Sequence, residues 1–247
     1  MIQRIPLIVL LALVMLSGCT PSSESIARRT ATGTAEGGYI DPATQPRSLS
    51  GNEDTLDAPE RHMVLRYGPA IKQYASQYGF DWRLILAVVK QESRFDAHAE
   101  SHRGATGFMQ LMPVTQREVA DDLDVQDESH PAVNIRIGVY YLRKLYGMFN
   151  GASGSDRLKL ALASYNGGLG RIYDAQEIAA YLGDNPEKWQ AVKDALPLLS
   201  KRYASLHSHI WPDERPRYGW FGGSKETVAY VDSVMSKYEE YKHDINE

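Results

Sequence analysis

The chain has 247 residues, of which 43% are apolar, 23% are charged and one is cysteine, and its formal net charge is −4. This composition is that of an ordinary globular protein, and it excludes a collagen-like or polytopic membrane protein. The net negative charge argues against a nucleic-acid partner, because polyanion binding needs a basic face. A single cysteine excludes an intrachain disulfide and a multi-thiolate zinc site.

The amino terminus, residues 1–18, has the pattern of a bacterial lipoprotein signal peptide. A basic start precedes an apolar run at 5–16 that is too short to span a bilayer comfortably. The sequence LSGC at 16–19 then resembles a lipobox, in which the cysteine is acylated and becomes the new N-terminus. We therefore expect Cys19 to anchor the protein on a membrane without spanning it. Thr20, rather than Asp, follows the cysteine, which favours the periplasmic face of the outer membrane; a signal-anchor helix is the alternative.

Residues 19–57 are expected to form the lipidated cysteine and a flexible linker. This stretch is rich in Ser, Thr, Gly, Pro and charge and has few large apolar side chains. It cannot bury enough apolar surface to offset the entropy lost on ordering, so we expect disorder. Such a tether would let a globular domain over 58–247 act some distance from the anchor.

Residues 58–247 predict an all-α domain, because apolar side chains recur at three- and four-residue spacing and no β-type alternation is long enough for a sheet. The first predicted helix starts at Pro59 and ends near Gly79, and the second starts at Asp81 and reaches Glu92. Short linkers rich in Gly, Pro and Asn separate the other predicted helices, which are Thr115–Leu123, Pro131–Phe149, Asp156–Tyr165, Gly168–Leu182, Pro186–Val192, Pro197–Tyr203 and Ser224–His243.

Glu92 is the candidate for chemistry, since it ends the apolar face of the second predicted helix. Loss of hydration at such a position favours the neutral carboxyl and raises its pKa toward working pH, as a general acid requires. Position alone would favour an ordinary surface glutamate. The glycine-rich stretches 104–113 and 163–168 change this interpretation. No strand precedes them, so they are not phosphate-binding or dinucleotide-binding motifs. Their glycines instead suit places where the chain or a ligand approaches the backbone closely.

Five motifs, in order along the chain, resemble the lytic transglycosylase SLT domain, a lysozyme-like helical fold that acts on peptidoglycan. They are Glu92-Ser93 with Phe95, GATGFMQLMP at 104–113, the run Asn134–Leu142, Ala163-x-Tyr165-Asn166-x-Gly168, and Glu226-Thr227 with Tyr230-Val231. The resemblance covers 67–241. The stretch Trp189–Leu199 is most similar to the membrane-bound transglycosylase F type. The amino-terminal solute-binding-like domain of that type does not match this sequence. The resemblance therefore applies only to the catalytic domain.

The resemblance implies a mechanism with one carboxylate, whereas glycosidases ordinarily use two. Glu92 would protonate the glycosidic oxygen of the MurNAc–GlcNAc β-1,4 bond and then deprotonate the muramoyl C6 hydroxyl. That hydroxyl would attack the anomeric carbon and leave a 1,6-anhydroMurNAc end. The resemblance implies peptidoglycan glycan strands as the partner and requires no cofactor and no metal; it identifies no partner protein in cell-wall assembly.

The same resemblance implies substrate-binding roles for six further residues. Each is assigned by its place in a motif. Ser101 would lie near the acetamido group or C6 hydroxyl, and Met109 and Gln110 would belong to the loop that lines the sugar groove. Tyr165 and Asn166 would form the floor of the site, and Tyr230 would be the hydrogen-bond partner of Glu92.

Two other function classes remain open. A lysozyme-type hydrolase of the same fold would replace the C6 hydroxyl by a water molecule, and a non-catalytic peptidoglycan-binding lipoprotein would keep the groove without the chemistry. Retention of Glu92, a costly desolvated acid, argues against the second. His98 and His102 have the spacing of helical metal ligands but fall in a predicted loop, so we expect no metal site. The irregular, aromatic stretch 207–223 is a candidate for setting substrate preference.

Overall fold

The computed structural model describes residues 56–125, 127 and 130–245, and within these ranges the regular structure is helical. Two isolated β-bridges, Glu100 with Thr106 and Thr106 with Leu111, occur in one loop. The predicted signal peptide (1–18) and all but the last two residues of the predicted linker (19–57) lie outside the described residues. No helix in the described part of the chain is both long enough and apolar enough to cross a membrane.

The described chain contains nine α-helices, and the prediction of an all-α fold is confirmed. In chain order they are α1 Ala58–Tyr78, α2 Trp82–Ser93, α3 Pro113–Asp122, α4 Pro131–Met148, α5 Gly154–Gly167, α6 Leu169–Tyr181, α7 Trp189–Ala195, α8 Ala204–Ile210 and α9 Ser224–Asp244. Between α7 and α8 the chain forms two short 3₁₀ turns, Leu196–Leu199 and Lys201–Tyr203.

Local capping explains the ends of the first two helices. Asp57 and Glu60 form a reciprocal capping box, in which each side chain accepts a hydrogen bond from the other residue's backbone N–H, at 2.8 and 3.0 Å. Gly79 ends α1 with φ 75°, a left-handed conformation that glycine adopts without strain. Asp81 then caps α2 by accepting from the backbone N–H of Arg83 at 2.9 Å. The predicted end of the first helix and start of the second are confirmed.

The region 186–210 differs from its prediction. The helix expected over Pro186–Val192 begins only at Trp189, because the Asn185 side chain accepts from the Glu187 backbone N–H and holds a turn there. The carboxylate of Asp156, at the start of α5, accepts from the Trp189 backbone N–H at 3.0 Å and fixes the first turn of α7.

The second predicted helix of this region, Pro197–Tyr203, is wrong. It is replaced by the two 3₁₀ turns, and the helix α8 that follows was not predicted. The stretch expected to be irregular, 207–223, therefore starts inside α8.

The packing of α9 determines which helix ends meet. This last helix packs against α2 and α5, while α1 packs against α4 and α5 lies between α4 and α6. Near the end of α9 the buried hydroxyl of Tyr241 donates to the carboxylate of Glu60 on α1 at 2.7 Å. The carboxyl end of α2, the carboxyl end of α5 and the first half of α9 are thereby brought into one region.

Candidate active site

Glu92 lies in the last turn of α2 and shares a hydrogen bond with α9. The hydroxyl of Tyr230, a buried residue, donates to Oε1 of Glu92 at 2.6 Å. Removal from water raises the pKa of Glu92 to about 7, although the hydrogen bond from Tyr230 acts in the opposite direction. A carboxyl group with this pKa is present in both protonation states near neutral pH, so it can give and take a proton.

The backbone leaves α2 directly after Glu92. The hydroxyl of Ser93 donates to the carbonyl of Val89, and Arg94 and Phe95 both adopt left-handed conformations, with φ 53° and 69°. Two successive non-glycine residues in the left-handed conformation are unusual, and together they turn the backbone sharply after α2.

Tyr165, at the carboxyl end of α5, directs its hydroxyl to the backbone of the neighbouring loop and not to the carboxyl group of Glu92. Its hydroxyl donates to the backbone carbonyl of Met109 at 2.8 Å, and its ring packs on that of Tyr141 with centroids 5.5 Å apart. Burial, together with the negative charge of nearby Glu92, raises the pKa of Tyr165 well above its ordinary value. Tyr165 is thus a neutral donor, and the phenol that contacts Glu92 belongs to Tyr230.

The glycine-rich loop 104–113 is held by one buried amide on α4. The side chain of Asn134 accepts from the Met109 backbone N–H at 2.9 Å and donates to the Thr106 carbonyl at 3.3 Å. Gly107 has φ 76°, and a Cβ built there would lie 2.7 Å from the Asn134 amide. Only glycine therefore allows the loop to approach Asn134 so closely.

Three predicted residues belong to this loop or precede it. The side chain of Met109 is fully buried and packs on Gly138, so the expectation that it lines the sugar groove is corrected: Met109 is a core side chain, and only its backbone serves the site. Gln110 does line the cavity described below, and its amide donates to the carbonyls of Ala99 and Gly107, both at 3.0 Å. The hydroxyl of Ser101 accepts from the backbone N–H of Ala105 at 3.0 Å and closes a turn.

A cavity of about 670 Å³ lies between this loop, the α5–α6 junction and the start of α9. Asn166 lines it, and its side-chain oxygen accepts from the hydroxyl of Thr227 at 2.9 Å, which leaves the amide NH₂ to donate. A Cβ at Gly167 would lie 2.8 Å from that hydroxyl, so this approach of α9 also requires glycine. Glu92 does not line the cavity itself and adjoins it through Tyr165, which does.

The predicted set of site residues did not include several residues that the structure places at the site. Of these, Asn134 and Thr227 orient other groups, while Arg171 and Glu226 line the cavity. Asn134, Glu226 and Thr227 lie inside the motifs quoted above, so the sequence could have indicated them as site residues. Arg171 lies three residues after the motif that ends at Gly168, and no motif indicated it. Within the described ranges, no group of three or more His, Cys, Asp or Glu side chains could hold a metal ion.

Solved structures share this arrangement of helices and define the class of protein. The lytic transglycosylase Slt from Pseudomonas aeruginosa, as an inactive mutant, is 27% identical, with a TM-score of 0.51 over 73% of this chain and 25% of that chain. The 70 kDa soluble lytic transglycosylase from Escherichia coli shares the fold at 23% identity, with a TM-score of 0.52 over 77% of this chain and 26% of that one. The described residues form a lysozyme-like helical domain.

Sequence comparison relates part of the chain to one family. Residues 69–187 match the family model "Transglycosylase SLT domain", so this segment of the chain is similar to the members of that family. Membrane-bound lytic murein transglycosylase F of Desulfosudis oleivorans is 41% identical over 70% of this chain and 36% of its own length. The protein of the same name from Cellvibrio japonicus is 35% identical over 69% of this chain and 32% of its own length. The chain thus spans about a third of the length of these relatives.

Proposed function

We propose that this protein is a peptidoglycan lytic transglycosylase that cleaves the MurNAc–GlcNAc β-1,4 bond without water and leaves a 1,6-anhydroMurNAc end. The observation that carries the proposal is Glu92, whose carboxyl group has a pKa of about 7 and is hydrogen-bonded to Tyr230 beside a polar cavity. The names of the relatives, which describe lytic murein transglycosylases, agree with it.

In the first step, protonated Glu92 donates its proton to the glycosidic oxygen, and the bond from that oxygen to the anomeric carbon breaks. The anomeric carbon gains positive charge as the leaving sugar departs with the proton. The hydroxyl of Tyr230 continues to donate to the carboxylate that remains, and a hydrogen bond to a charged acceptor is stronger than one to a neutral acceptor. Tyr230 therefore stabilises Glu92 in the state that the first step produces.

In the second step, the Glu92 carboxylate takes the proton of the muramoyl C6 hydroxyl, and that oxygen bonds to the anomeric carbon. The product is the 1,6-anhydro ring, and Glu92 is again protonated. An attacking group on the same sugar is already close to its target, so less entropy is lost than with a separate nucleophile. The NH₂ group of Asn166, oriented by Thr227, is our candidate donor to the N-acetyl carbonyl of the substrate.

The proposal includes the anchor, with residues 1–18 as signal peptide, 19–57 as lipidated linker and 58–247 as catalytic domain. Cys19 would be acylated and would hold the enzyme on the periplasmic face of the outer membrane. The membrane-bound names of the relatives support membrane association. Density-gradient fractionation of cells tests this: Cys19→Ala should leave the outer-membrane fraction, and unchanged fractionation would contradict acylation at this residue.

The activity is tested by mass spectrometry of muropeptides released from purified sacculi by the full-length protein. We expect 1,6-anhydromuropeptides from the wild type, none from Glu92→Gln, and normal yield from Glu118→Gln, which alters a mostly exposed glutamate of α3. Reducing-end muramic acid would instead identify a hydrolase. Binding to sacculi without release would identify a non-catalytic peptidoglycan-binding protein. Either of these outcomes refutes the proposal.

A further inference from the structure

The segment Trp211–Gly223, here called the aromatic segment, connects α8 to α9 and forms one side of the cavity. Trp220 and Phe221 line that side. The segment has no regular secondary structure, and its backbone turns through left-handed conformations at Glu214, with φ 55°, and Gly219, with φ 84°. Its conformation must therefore be fixed by contacts with other elements.

Two carboxylates of α6 supply these contacts. Asp174, only 1% exposed, accepts from the backbone N–H groups of Arg217 at 3.2 Å and Tyr218 at 2.9 Å. One turn further along the helix, Glu177 accepts from the indole N–H of Trp211 and pairs with Arg217 at 3.1 Å. Because residues three apart share a helix face, this side of α6 is occupied by the aromatic segment.

A glycine on the same face allows the segment to lie directly on α6. A Cβ at Gly170 would fall 2.3 Å from the ring of Tyr218. On the other side, the Trp220 ring packs against the buried ring of His207 with centroids 5.0 Å apart, and the Phe221 backbone N–H donates to the Leu199 carbonyl at 3.1 Å. The segment is thus held from both sides of Trp220.

Holding the aromatic segment in this way costs folding free energy, and it leaves the ring of Trp220 partly exposed. Burying a carboxylate such as Asp174 opposes folding even when it accepts two hydrogen bonds. Trp220 nevertheless remains 38% exposed while it borders the cavity. A rigid aromatic surface beside polar groups such as Asn166 and Gln110 suits a sugar ring, whose C–H face is apolar and whose substituents are polar.

We propose that Trp220 is a stacking platform for an N-acetylhexosamine ring of the glycan strand, and that Asp174 is a positioning residue that fixes the platform in place. This deepens the proposed function and rests on it for the identity of the natural ligand. Because Asp174 holds the backbone of the aromatic segment before the sugar arrives, little entropy is lost by Trp220 on binding.

The test is calorimetric titration of the full-length Glu92→Gln protein with peptide-free N-acetylglucosamine tetramer, so that no turnover occurs. We expect Trp220→Ala to raise Kd about tenfold or more, because it removes the apolar aromatic surface on which the C–H face of the sugar would lie; a tenfold change corresponds to about 1.4 kcal/mol. Trp220→Phe, which keeps an aromatic face, should stay within about threefold of the parent. Tyr181→Ala truncates an exposed tyrosine at the end of α6 that does not line the cavity, and should leave Kd unchanged.

The positioning role of Asp174 is tested by a double-mutant cycle. Asp174→Asn should weaken binding of the tetramer about fivefold on its own, but it should add less than about twofold in a Trp220→Ala background, since its effect acts through Trp220. Full additivity would overturn the positioning role. Unchanged Kd in Trp220→Ala, or no binding by the parent, would overturn the platform even if wild-type protein releases anhydromuropeptides from sacculi. Because Trp220 is exposed, its variant decides this point whether or not Asp174→Asn folds.

Discussion

Replacing Glu92 by Gln should stabilise the protein at neutral pH while abolishing its proposed activity. The pKa of Glu92 rises from 4.5, its ordinary value, to about 7 in the folded chain because burial disfavours the charged form. Between these two pH values the folded state binds more protons than the unfolded state, so the unfolding free energy of the wild type falls as pH rises. A shift of this size corresponds to about 3 kcal/mol. Gln stays neutral and can still accept from Tyr230.

The assay is urea denaturation of the full-length wild type and Glu92→Gln at several pH values from 4 to 8. The two proteins should be similar in stability near pH 4, and the variant should gain up to about 3 kcal/mol on the wild type as pH rises through 7. Glu118→Gln is the control, because that glutamate is mostly exposed. A difference between Glu92→Gln and wild type that does not change with pH would refute the desolvation of Glu92 and, with it, the argument for its acid role.

Three further predictions concern the hydrogen bond to Glu92, the packing of Met109 against α4 and the N-terminal cap of α1. Tyr230→Phe removes a bond that lowers the pKa of Glu92, so the alkaline limb of the activity profile should move up by about one pH unit; an unmoved limb would contradict this. Gly138→Ala places a Cβ 2.6 Å from Met109 and should cost about 1–3 kcal/mol by denaturation, whereas Gly147→Ala, with open space around it, should be neutral or stabilising. Asp57→Ala should cost about 1–2 kcal/mol at pH 7 and less as the pH falls below 3.8, the ordinary pKa of Asp. Burial opposes the lowering of the Asp57 pKa, but the hydrogen bond from the Glu60 backbone and the charge of Lys90 outweigh it; a cost that does not change with pH would exclude these two contacts as the cause.

The helix ends that could be predicted from the sequence are those determined by neighbouring residues. Gly79 and Asp81 act within a few positions of themselves, so their effects are visible in the sequence. The start of α7 depends on the local turn held by Asn185 and also on Asp156, which is 33 residues away from the backbone N–H of Trp189 that it accepts from. No local pattern contains that contact, and the predicted helix Pro186–Val192 therefore started too early.

The same distinction applies to the site. Glu92 became a candidate from its place on an apolar helix face together with the neighbouring glycine-rich stretches. Its hydrogen bond with Tyr230 joins residues 138 positions apart and was expected only from the resemblance. Met109 was placed in the groove because its motif lies there. Its side chain points into the core instead, because Gly138 on α4 has no side chain and leaves room for it. This space exists only when the loop 104–113 packs against α4, so the sequence around Met109 does not reveal it.

The position of α9 after all the other helices of the described chain has a consequence for when Glu92 gains its hydrogen-bond partner. Tyr230 reaches Glu92 from the last helix, and Tyr241 of the same helix reaches back to Glu60 at the start of the first. A growing chain that extends only as far as α8 therefore contains Glu92 but not Tyr230, the residue that donates to it. Glu92 can gain this hydrogen bond only after α9 has been synthesised and has packed against α2.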